Sequence, residues 1–336
     1  MTTKNLSILI ATGLYPPDIG GPANHTILLE KELPKRGWKV RTASFRFFRK
    51  FPRIVRHSLY FDFLFLKAFG SRIVYAQDTV SVGFPALLVS KLLRKKFVVR
   101  VPGDYAWEQA RARHGVLDSL EDFQTKRYGF FVEFLRSIQR RVVQGADLVI
   151  VPSDYMKGIV SGWGVEPQTV YSSIDMPLSY ELPKKRPEGF LIVSAGRRVP
   201  WKGFEALESV VQKEKDWHLF IASDLSKKEA LGWIKTADVF VLNSTYEGLS
   251  HVLIETMSLD TPIITTNIGG NPELIEDGIN GILIPSNDDK ALYQAIKNVY
   301  EDSDVAERRA QEAQKKSSHF SVDFSMNRLE ELLQKL

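Results

Sequence analysis

Short apolar segments alternate with longer amphipathic segments along almost the whole of this 336-residue chain. The apolar segments have the length of strands, and the segments between them carry apolar residues at helical spacing. Alternation of this kind favours parallel sheets that are covered by helices, which is the α/β class. The predicted strands are Leu6–Ala11, Val40–Ser44, Ile73–Ala76, Phe97–Val101, Leu148–Val151 and Thr169–Tyr171 in the first half, and Phe190–Ala195, Trp217–Ala222, Val239–Leu242, Ile263–Thr265 and Ile282–Ile284 in the second.

A proline-rich interruption divides this pattern into two halves. Three prolines flank the basic sequence KKR within residues 173–188, and both periodicities stop there. The chain is long enough to bury two ordinary hydrophobic cores. We therefore predict an N-terminal domain over residues 1–172, a linker over 173–188 and a C-terminal domain over 189–320, followed by an amphipathic helix over 321–336. The longest helix is predicted at Leu117–Gln144.

The composition excludes several kinds of site and indicates an anionic partner. The chain has no cysteine, which excludes disulfides, thiolate zinc sites and a cysteine nucleophile. Residues 1–172 contain 26 Lys and Arg against 14 Asp and Glu, whereas the remainder contains 19 against 26. The basic N-terminal half is therefore expected to meet an anionic substrate or surface. No helix-turn-helix, zinc or RNP-type motif supports nucleic acid as that partner.

Two glutamates in the second half suggest a site for a sugar. Glu247 and Glu255 begin and end the sequence EGLSHVLIE, which lies between two predicted strands. This context places Glu247 in a strand-to-helix loop and Glu255 about two turns into the helix. A carboxylate there can accept hydrogen bonds from sugar hydroxyls, and the adjacent helix N-terminus favours a phosphate. Acidic residues are also common in first helical turns and on exposed faces, so the spacing alone leaves a structural role open.

The wider pattern resembles the family 4 retaining glycosyltransferases, which have the GT-B fold. The glutamate motif is preceded by AGRRVPWKGF at 195–204 and followed by TPIITT at 261–266, GGNPELI at 269–275 and DGINGIL at 277–283. A weaker match, GLYPPDIGGP at 13–22, extends the resemblance over nearly the whole chain. It implies two Rossmann-like domains facing an interdomain cleft, with the nucleotide-sugar donor on the C-terminal domain and the acceptor on the N-terminal one. It also implies that the last helix packs back on the N-terminal domain.

The resemblance assigns roles to individual donor-site residues. Arg197 and Lys202 would neutralise the diphosphate, Glu255 would bind the ribose, and Glu247 would contact the transferred sugar. The alternative for the two cations is a solvated basic loop. Gly20 and Gly21 would form an anion-binding loop at the start of the first helix that reaches towards the donor phosphates, and the alternative for them is a tight turn without a ligand. The predicted donor-binding residues are Gly20, Gly21, Arg197, Lys202, Glu247, Gly248, Leu249, Ser250 and Glu255.

Residues after the predicted strand Phe97–Val101 are candidates for the acceptor side, because parallel sheets bind ligands at the carboxyl ends of their strands. Asp104 could position the acceptor hydroxyl, and it joins Arg197, Lys202 and Glu247 as a predicted catalytic residue. Its alternative is a helix cap. Aromatic residues here could stack on a sugar or belong to the core. The acceptor-side candidates are Asp104, Tyr105, Trp107 and Glu108.

The implied activity is retaining transfer of a hexose-type sugar from a nucleoside diphosphate to an acceptor hydroxyl, with no cofactor and no metal. Asp302 and Asp304 have the spacing of a metal-binding pair, but their position at a helix junction favours a cap. Two departures from the family pattern keep rivals open: only residues 223–238 stand where a further strand–helix unit is usual, and no histidine lies near Asp104. The rivals are a nucleotide-sugar epimerase or hydrolase and a non-catalytic, membrane-associated partner of another transferase.

A basic and aromatic stretch in the first half suggests contact with a membrane. Residues 35–72 contain 11 Lys and Arg but a single acid, Asp62. We expect the aromatic residues from Tyr60 onward to be mostly core, and Phe45–Arg56 to be an exposed basic loop that contacts anionic lipid near a lipid-linked or cell-envelope acceptor. No apolar segment has the length of a membrane span, and no signal peptide is recognisable. The expected location is cytoplasmic, peripheral on the inner leaflet.

Overall fold

The computed structural model describes residues 6–18, 20–177 and 179–336, without the side chains of residues 53 and 54. The chain divides into two compact units. Unit 1 comprises Met1–Val170 together with Met326–Leu336, and unit 2 comprises Tyr171–Ser325. Each unit is built around its own parallel sheet. Within the described residues, no helix combines the length and the apolar character that crossing a bilayer requires.

Unit 1 contains a six-stranded sheet in the order β2-β1-β3-β4-β5-β6. Every residue from Ile8 to Ala11 is fully buried, as expected for a central parallel strand that is covered on both faces. The elements of this unit are β1 Ser7–Thr12, α1 Gly21–Lys35, β2 Lys39–Ser44, α2 Arg53–Ala68, β3 Ile73–Ala76, α3 Gly83–Leu92, β4 Lys96–Arg100, α4 Tyr105–His114, α5 Leu120–Thr125, α6 Phe130–Gln144, β5 Leu148–Val151, α7 Asp154–Ser161 and β6 Gln168–Thr169.

Three helices of unit 1 lie side by side on one face of the sheet, with α3 between α2 and α6. The chain crosses the sheet in one direction from β2 to β5, and right-handed crossovers place the connecting helices on the same face. Leu64 of α2, Leu87 of α3 and Val142 of α6 are buried, and Leu87 and Val142 lie where α3 and α6 meet. The opposite step, from β1 to β2, places α1 on the other face.

The predicted helix Leu117–Gln144 is wrong in its extent. Gly115 ends α4 with a φ of 65°, a conformation that glycine adopts without strain. Gly129 then separates α5 from α6. Residues 105–114 form the helix α4, which the sequence analysis did not predict. Its sequence, YAWEQARARH, has no extended apolar stripe, although the residues that are buried, Ala106, Trp107 and Ala110, stand at helical spacing.

The basic segment Phe45–Arg56 is also not a loop, which corrects the sequence prediction. Phe45–Phe48 forms a short 3-10 helix capped by the Ser44 hydroxyl, and α2 begins at residue 53. Phe45 is buried, whereas Phe47 is exposed. The side chain of Arg53, part of this predicted contact surface, lies outside the described residues. Among the aromatic residues that follow, Tyr60 is fully buried but Phe69 is exposed, so the predicted core role holds only for part of them.

Unit 2 contains a five-stranded parallel sheet in the order β11-β10-β9-β7-β8. One helix, α9, connects β8 to β9, and the described residues between these two strands contain no further strand. The elements are β7 Phe190–Ala195, α8 Phe204–Val211, β8 Trp217–Ala222, α9 Lys227–Lys235, β9 Val239–Leu242, α10 His251–Ser258, β10 Ile263–Thr266, α11 Asn271–Leu274, β11 Ile282–Ile284, α12 Asp289–Glu301, α13 Ser303–Ser317 and α14 Val322–Gln334, of which the last continues into unit 1.

The proline-rich segment predicted as a linker is part of unit 2 and packs against α9 and the residues that follow it. The Glu181 N–H donates to the Lys228 carbonyl at 3.1 Å. Gly232 of α9 faces this segment, and a Cβ there would overlap the Glu181 carbonyl. Arg186 donates to the Thr236 carbonyl at 3.0 Å and pairs with Asp238.

The last helix, α14, has a polar contact with the first helix of unit 1. Glu330 of α14 lies 3.7 Å from Arg36 of α1.

Candidate functional site

The candidate site lies in unit 2 at the carboxyl ends of β7 and β9, which are neighbours in the sheet. The loop after β7 bends at Gly196, passes through a 3-10 helix over Pro200–Lys202 and turns at Gly203 with a φ of 64°. A Cβ on Gly203 would overlap the carbonyl of Asn243, just after β9. Glycine is therefore required for the close approach of the two loops.

A short ion pair joins these two loops. The Lys202 Nζ lies 2.6 Å from Oε1 of Glu247, and the hydroxyl of Ser244 donates to the same oxygen at 2.8 Å. The two charged side chains are only 15% and 14% exposed. No described group donates to Oε2 of Glu247. One carboxylate oxygen is thus held by the protein, and the other is available to a ligand hydroxyl.

Two glycines that the sequence analysis gave no site role hold the backbone of Glu247. Gly270 donates its N–H to the Glu247 carbonyl at 3.1 Å. Gly269 has a φ of 52°, and a Cβ there would overlap the same carbonyl. A Cβ on Gly270 would likewise overlap the carbonyl of Gly248. The sequence signal for this role is the GGN motif after β10, because paired glycines allow a close approach of two backbone segments.

Ser250 begins the helix that follows. Its buried hydroxyl accepts a hydrogen bond from the Leu253 N–H at 3.4 Å, which caps α10. No described group accepts a hydrogen bond from the backbone N–H of Leu249 or Ser250. These N–H groups at the positive end of α10 could bind an anionic or hydroxyl oxygen, as the sequence analysis expected of them together with Gly248.

Glu255 lies in the second half of α10 and pairs with a lysine that the sequence analysis missed. The Nζ of Lys227, the first residue of α9, lies 2.9 Å from Oε1 of Glu255. The same Nζ donates to the Asp175 carbonyl at 3.1 Å. Lys227 is close because α9 follows β8 after four residues. Its side chain is 46% exposed, so a ligand can displace it at small cost.

Arg197 supplies a further cation at the β7 loop. Its side chain is exposed, and it forms no ion pair or hydrogen bond with the described residues. The neighbouring Arg198 lies 3.7 Å from Glu208 of α8. Arg197 is therefore the residue of this loop whose charge is not already balanced within the protein, which suits a role towards an anionic ligand.

In unit 1, Gly20 is the N-cap of α1, a helix of 15 residues, and Gly21 is its first residue. Its N-terminus has neither a side-chain cap nor an acidic residue in its first turn. A Cβ on Gly21 would meet open space. These properties suit the predicted role of an anion-binding N-terminus, which remains a prediction.

Asp104 is a buried helix cap. It is 1% exposed and accepts hydrogen bonds from the Trp107 N–H at 3.0 Å, from Gln139 at 3.0 Å and from Gln124 at 2.9 Å. Its carboxylate is thus occupied by internal donors, which agrees with the alternative interpretation rather than with a catalytic role.

The other acceptor-side candidates are divided by their burial. Trp107 is buried, and its indole N–H donates to the Asp118 carbonyl at 3.0 Å, so it belongs to the core. Glu108 of α4 is exposed, and Tyr105 is half-buried with its hydroxyl 3.4 Å from Ser81. Tyr105 and Glu108 remain accessible to a ligand.

Asp302, the first of the two aspartates with metal-pair spacing, caps α13 by accepting a hydrogen bond from the Val305 N–H.

Solved structures share this architecture over the full chain. Sucrose-phosphate synthase from Thermosynechococcus elongatus superposes with a TM-score of 0.76 at 16% identity, covering 98% of both chains. HepE of Anabaena in complex with UDP superposes with a TM-score of 0.72 at 15% identity, covering 98% of this chain and all of that one. The fold is GT-B. At this level of identity the GT-B likeness concerns the fold alone.

Sequence comparison adds a family relationship for the C-terminal part of this GT-B chain. Residues 224–316 match the family described as "Glycosyl transferases group 1". The lipopolysaccharide core biosynthesis glycosyltransferase LpsE of Rhizobium meliloti is 26% identical over 36% of this chain and 42% of its own length. EpsD of Bacillus subtilis, a protein named as a glycosyltransferase, is 36% identical over a segment that covers 26% of this chain and 23% of the EpsD chain. The chain thus aligns with less than half the length of these curated relatives.

Proposed function

We propose that this protein is a retaining glycosyltransferase that moves a hexose-type sugar from a nucleoside diphosphate to an acceptor hydroxyl. The observation that carries the proposal is the Lys202–Glu247 pair at the end of the unit 2 sheet. It places a carboxylate for sugar hydroxyls next to a cation for phosphates, and Arg197 lies on the same loop as Lys202. The match of residues 224–316 to the group 1 glycosyltransferases supports this interpretation.

In the proposed reaction, the bond between the sugar C1 and the diphosphate oxygen breaks while the acceptor oxygen bonds to C1 on the same face. Negative charge grows on the leaving diphosphate, and fixed cations aimed at that charge lower the barrier. Arg197 and Lys202 would supply them. The acceptor proton would pass to the leaving phosphate, so the proposal requires neither a separate general base nor a metal.

Glu247 would orient the transferred sugar. Ser244 and Lys202 hold Oε1, which leaves Oε2 to accept a sugar hydroxyl. Glu255 would accept from the ribose hydroxyls in place of Lys227. HepE of Anabaena was solved in complex with UDP and with UDP-glucose, so uridine donors are the first to test.

The acceptor is proposed to be a lipid-linked or cell-envelope glycan. Two observations support this proposal: the similarity to LpsE, a glycosyltransferase of lipopolysaccharide core biosynthesis, and the basic character of the N-terminal half. The exposed Glu108 and the half-buried Tyr105 are the accessible acceptor-side candidates. Peripheral contact with anionic lipid through Phe45–Arg56 is part of this proposal, with Phe47 and Lys50 exposed there.

The test is a thermal-shift titration of the full chain with UDP, GDP, ADP and dTDP and their sugars. A nucleotide at about 100 times its Kd should stabilise the protein by about 2.7 kcal/mol. The shift should disappear in Lys202→Ala and persist in Lys290→Ala, an exposed lysine of α12.

The other outcomes distinguish the rivals. Turnover of the bound donor without any acceptor would indicate an epimerase or hydrolase. The absence of a shift with every nucleotide, in a protein that melts cooperatively, would overturn the donor site and favour a non-catalytic partner of another transferase.

A further inference from the structure

Exposed apolar side chains are concentrated on the outer surface of three helices of unit 1. More than half of the large apolar side chains that are exposed in the described residues lie on α2, α3 and α6 or on the turns that flank them. Leu66 of α2 is 69% exposed, Leu92 of α3 is 65% exposed and Phe130 of α6 is 88% exposed. Single exposed apolar residues are ordinary, but a cluster on one side of a domain marks an interaction surface.

The spacing of these residues shows that each helix is apolar on its outer side as well as on its inner side. Leu88 and Leu92 stand four residues apart on α3, so they lie on the same exposed side. Phe130 and Phe134 stand four apart on α6, with ring centroids at 6.4 Å and nearly parallel planes. A helix that packs against a sheet on one side and faces water on the other normally carries polar residues outside. The three helices adjoin one another, so their outer sides form one surface, which we call the α2–α3–α6 face.

The charges on the α2–α3–α6 face are mainly positive. Lys67 of α2, Lys91 of α3 and Arg141 of α6 are exposed. The sequence from residue 79 to residue 103, which includes all of α3, contains no acidic residue. On α2 the single acid is Asp62, and on α6 it is Glu133, which pairs with Arg136 at 2.8 Å. Cations interleaved with exposed leucine and phenylalanine side chains complement a surface of anionic headgroups over acyl chains.

We propose that the α2–α3–α6 face binds the surface of an anionic lipid bilayer. The leucine and phenylalanine side chains would enter the boundary between headgroups and acyl chains, and the cations would lie at the headgroup level. This face is broader than the Phe45–Arg56 segment, which adjoins it at the start of α2. Lipid binding itself does not depend on the proposed function, but its purpose does: it would hold unit 1 beside a lipid-linked acceptor.

The charge component is tested by co-sedimentation of the full chain with vesicles. The vesicles contain phosphatidylcholine alone or a mixture of phosphatidylcholine and phosphatidylserine. Unmodified protein should bind the mixture and not the neutral vesicles at physiological salt. The triple variant Lys67→Gln, Lys91→Gln, Arg141→Gln removes three cations, each of which contributes about fivefold to binding, so affinity for the mixture should fall roughly 100-fold.

A matched variant controls for net charge. Lys213, Lys215 and Lys290 are exposed lysines of unit 2, and their replacement by Gln removes the same three charges elsewhere. This variant should bind the mixed vesicles within about twofold of the unmodified chain. An equal loss in both triple variants would overturn the assignment to the α2–α3–α6 face, because the attraction would then follow total charge alone.

The apolar component is tested with Leu66→Ser and Leu92→Ser together, and the control is Ile279→Ser in unit 2, another exposed apolar residue. The double variant should lose vesicle binding, and the control should keep it. Size-exclusion chromatography of the same proteins examines a second copy of the chain as the occupant. A dimer that the double variant converts to a monomer, without any effect on vesicle binding, would overturn the proposal.

Failure of this inference and failure of the proposed function are distinguishable. The UDP-induced thermal shift reports on unit 2, and it should be unchanged in every variant of the α2–α3–α6 face. Vesicle binding without a nucleotide shift would leave the lipid-binding face standing and remove the glycosyltransferase. A nucleotide-induced thermal shift in an unmodified chain that does not bind anionic vesicles would support the nucleotide site of the proposed glycosyltransferase and overturn the lipid-binding face.

Discussion

Replacement of Glu247 by Gln should destabilise unit 2 while leaving the affinity for a nucleoside diphosphate intact. The substitution keeps the shape of the side chain and the hydrogen bond from Ser244, but it leaves Lys202 without its counter-charge in a site that is mostly shielded from water. A hydrogen bond to a charged group in such a place contributes about 1.5–3 kcal/mol. The amide oxygen still accepts from Lys202, so we expect a loss of about 1–2 kcal/mol, or roughly 2–8 °C in Tm.

The same substitution, Glu247→Gln, should strengthen UDP binding or leave it unchanged, although it lowers the stability of the unliganded protein. In the unliganded protein, Glu247 and an incoming diphosphate compete for the Lys202 ammonium, which lies 2.6 Å from the carboxylate. Removing the carboxylate charge ends that competition. Glu247→Gln should therefore bind UDP as tightly as the unmodified chain or up to about tenfold more tightly, which corresponds to about 1.4 kcal/mol. Lys202→Ala should lose UDP binding, and both variants should lose sugar transfer.

Isothermal titration with UDP and thermal melting without ligand separate these effects. The control is Glu301→Gln, which removes the carboxylate of an exposed pair with Lys297 at 3.6 Å and should change neither quantity. The reasoning would be refuted if Glu247→Gln lost UDP affinity as severely as Lys202→Ala while retaining its cooperative melting. In that case Glu247 would help the nucleotide to bind rather than compete with it for Lys202.

Three further predictions concern a glycine contact, a helix cap and pH. Gly269→Ala should cost more than about 2 kcal/mol in thermal melting, because alanine must adopt a φ of 52° and overlap a carbonyl of the site loop, whereas Gly278→Ala, at a φ of 74° in open space, should cost about 1 kcal/mol. Asp104→Ala should lower the free energy of unfolding in urea by about 1–3 kcal/mol and leave UDP affinity unchanged; turnover that is lost in a fully stable Asp104→Asn would instead restore its catalytic role. Hydrogen bonds and charges from a neighbouring lysine and arginine lower the pKa of Glu32 below its ordinary value of 4.5, so its stabilisation is present above pH 4.5 and is lost as the pH falls through the lowered pKa. The difference in Tm between the unmodified chain and Glu32→Gln should accordingly shrink on acidification, which melting curves at several pH values would show.

The sequence determined the sheets because their central strands are apolar on both faces. The predicted strands Ile73–Ala76 and Phe190–Ala195 coincide with β3 and β7, which are central in their sheets. The same reasoning failed at Leu117–Gln144, where the chain leaves the helical conformation after α5 and Gly129 begins the separate helix α6. Apolar periodicity continued across these positions, since α5 and α6 both bury one side, and periodicity by itself does not show a change of direction in the chain.

The sequence also supplied the residues of the candidate site, but the tertiary structure decided how they are paired. Lys202 and Glu247 are 45 residues apart, and they meet because β7 and β9 are neighbours in the sheet. Lys227 reaches Glu255 because α9 begins directly after β8. Neither pairing follows from the spacing of residues along the chain.

The role of Asp104 also depends on the tertiary structure. Its position after a strand allows both a catalytic carboxylate and a helix cap. Gln124 and Gln139, from α5 and α6, donate hydrogen bonds to the carboxylate, which favours the cap. Local periodicity and turn chemistry are properties of neighbouring residues, so the sequence determined them. Burial and charge pairing depend on contacts between distant segments, and these exist only once the order of the strands and the packing of the helices are established.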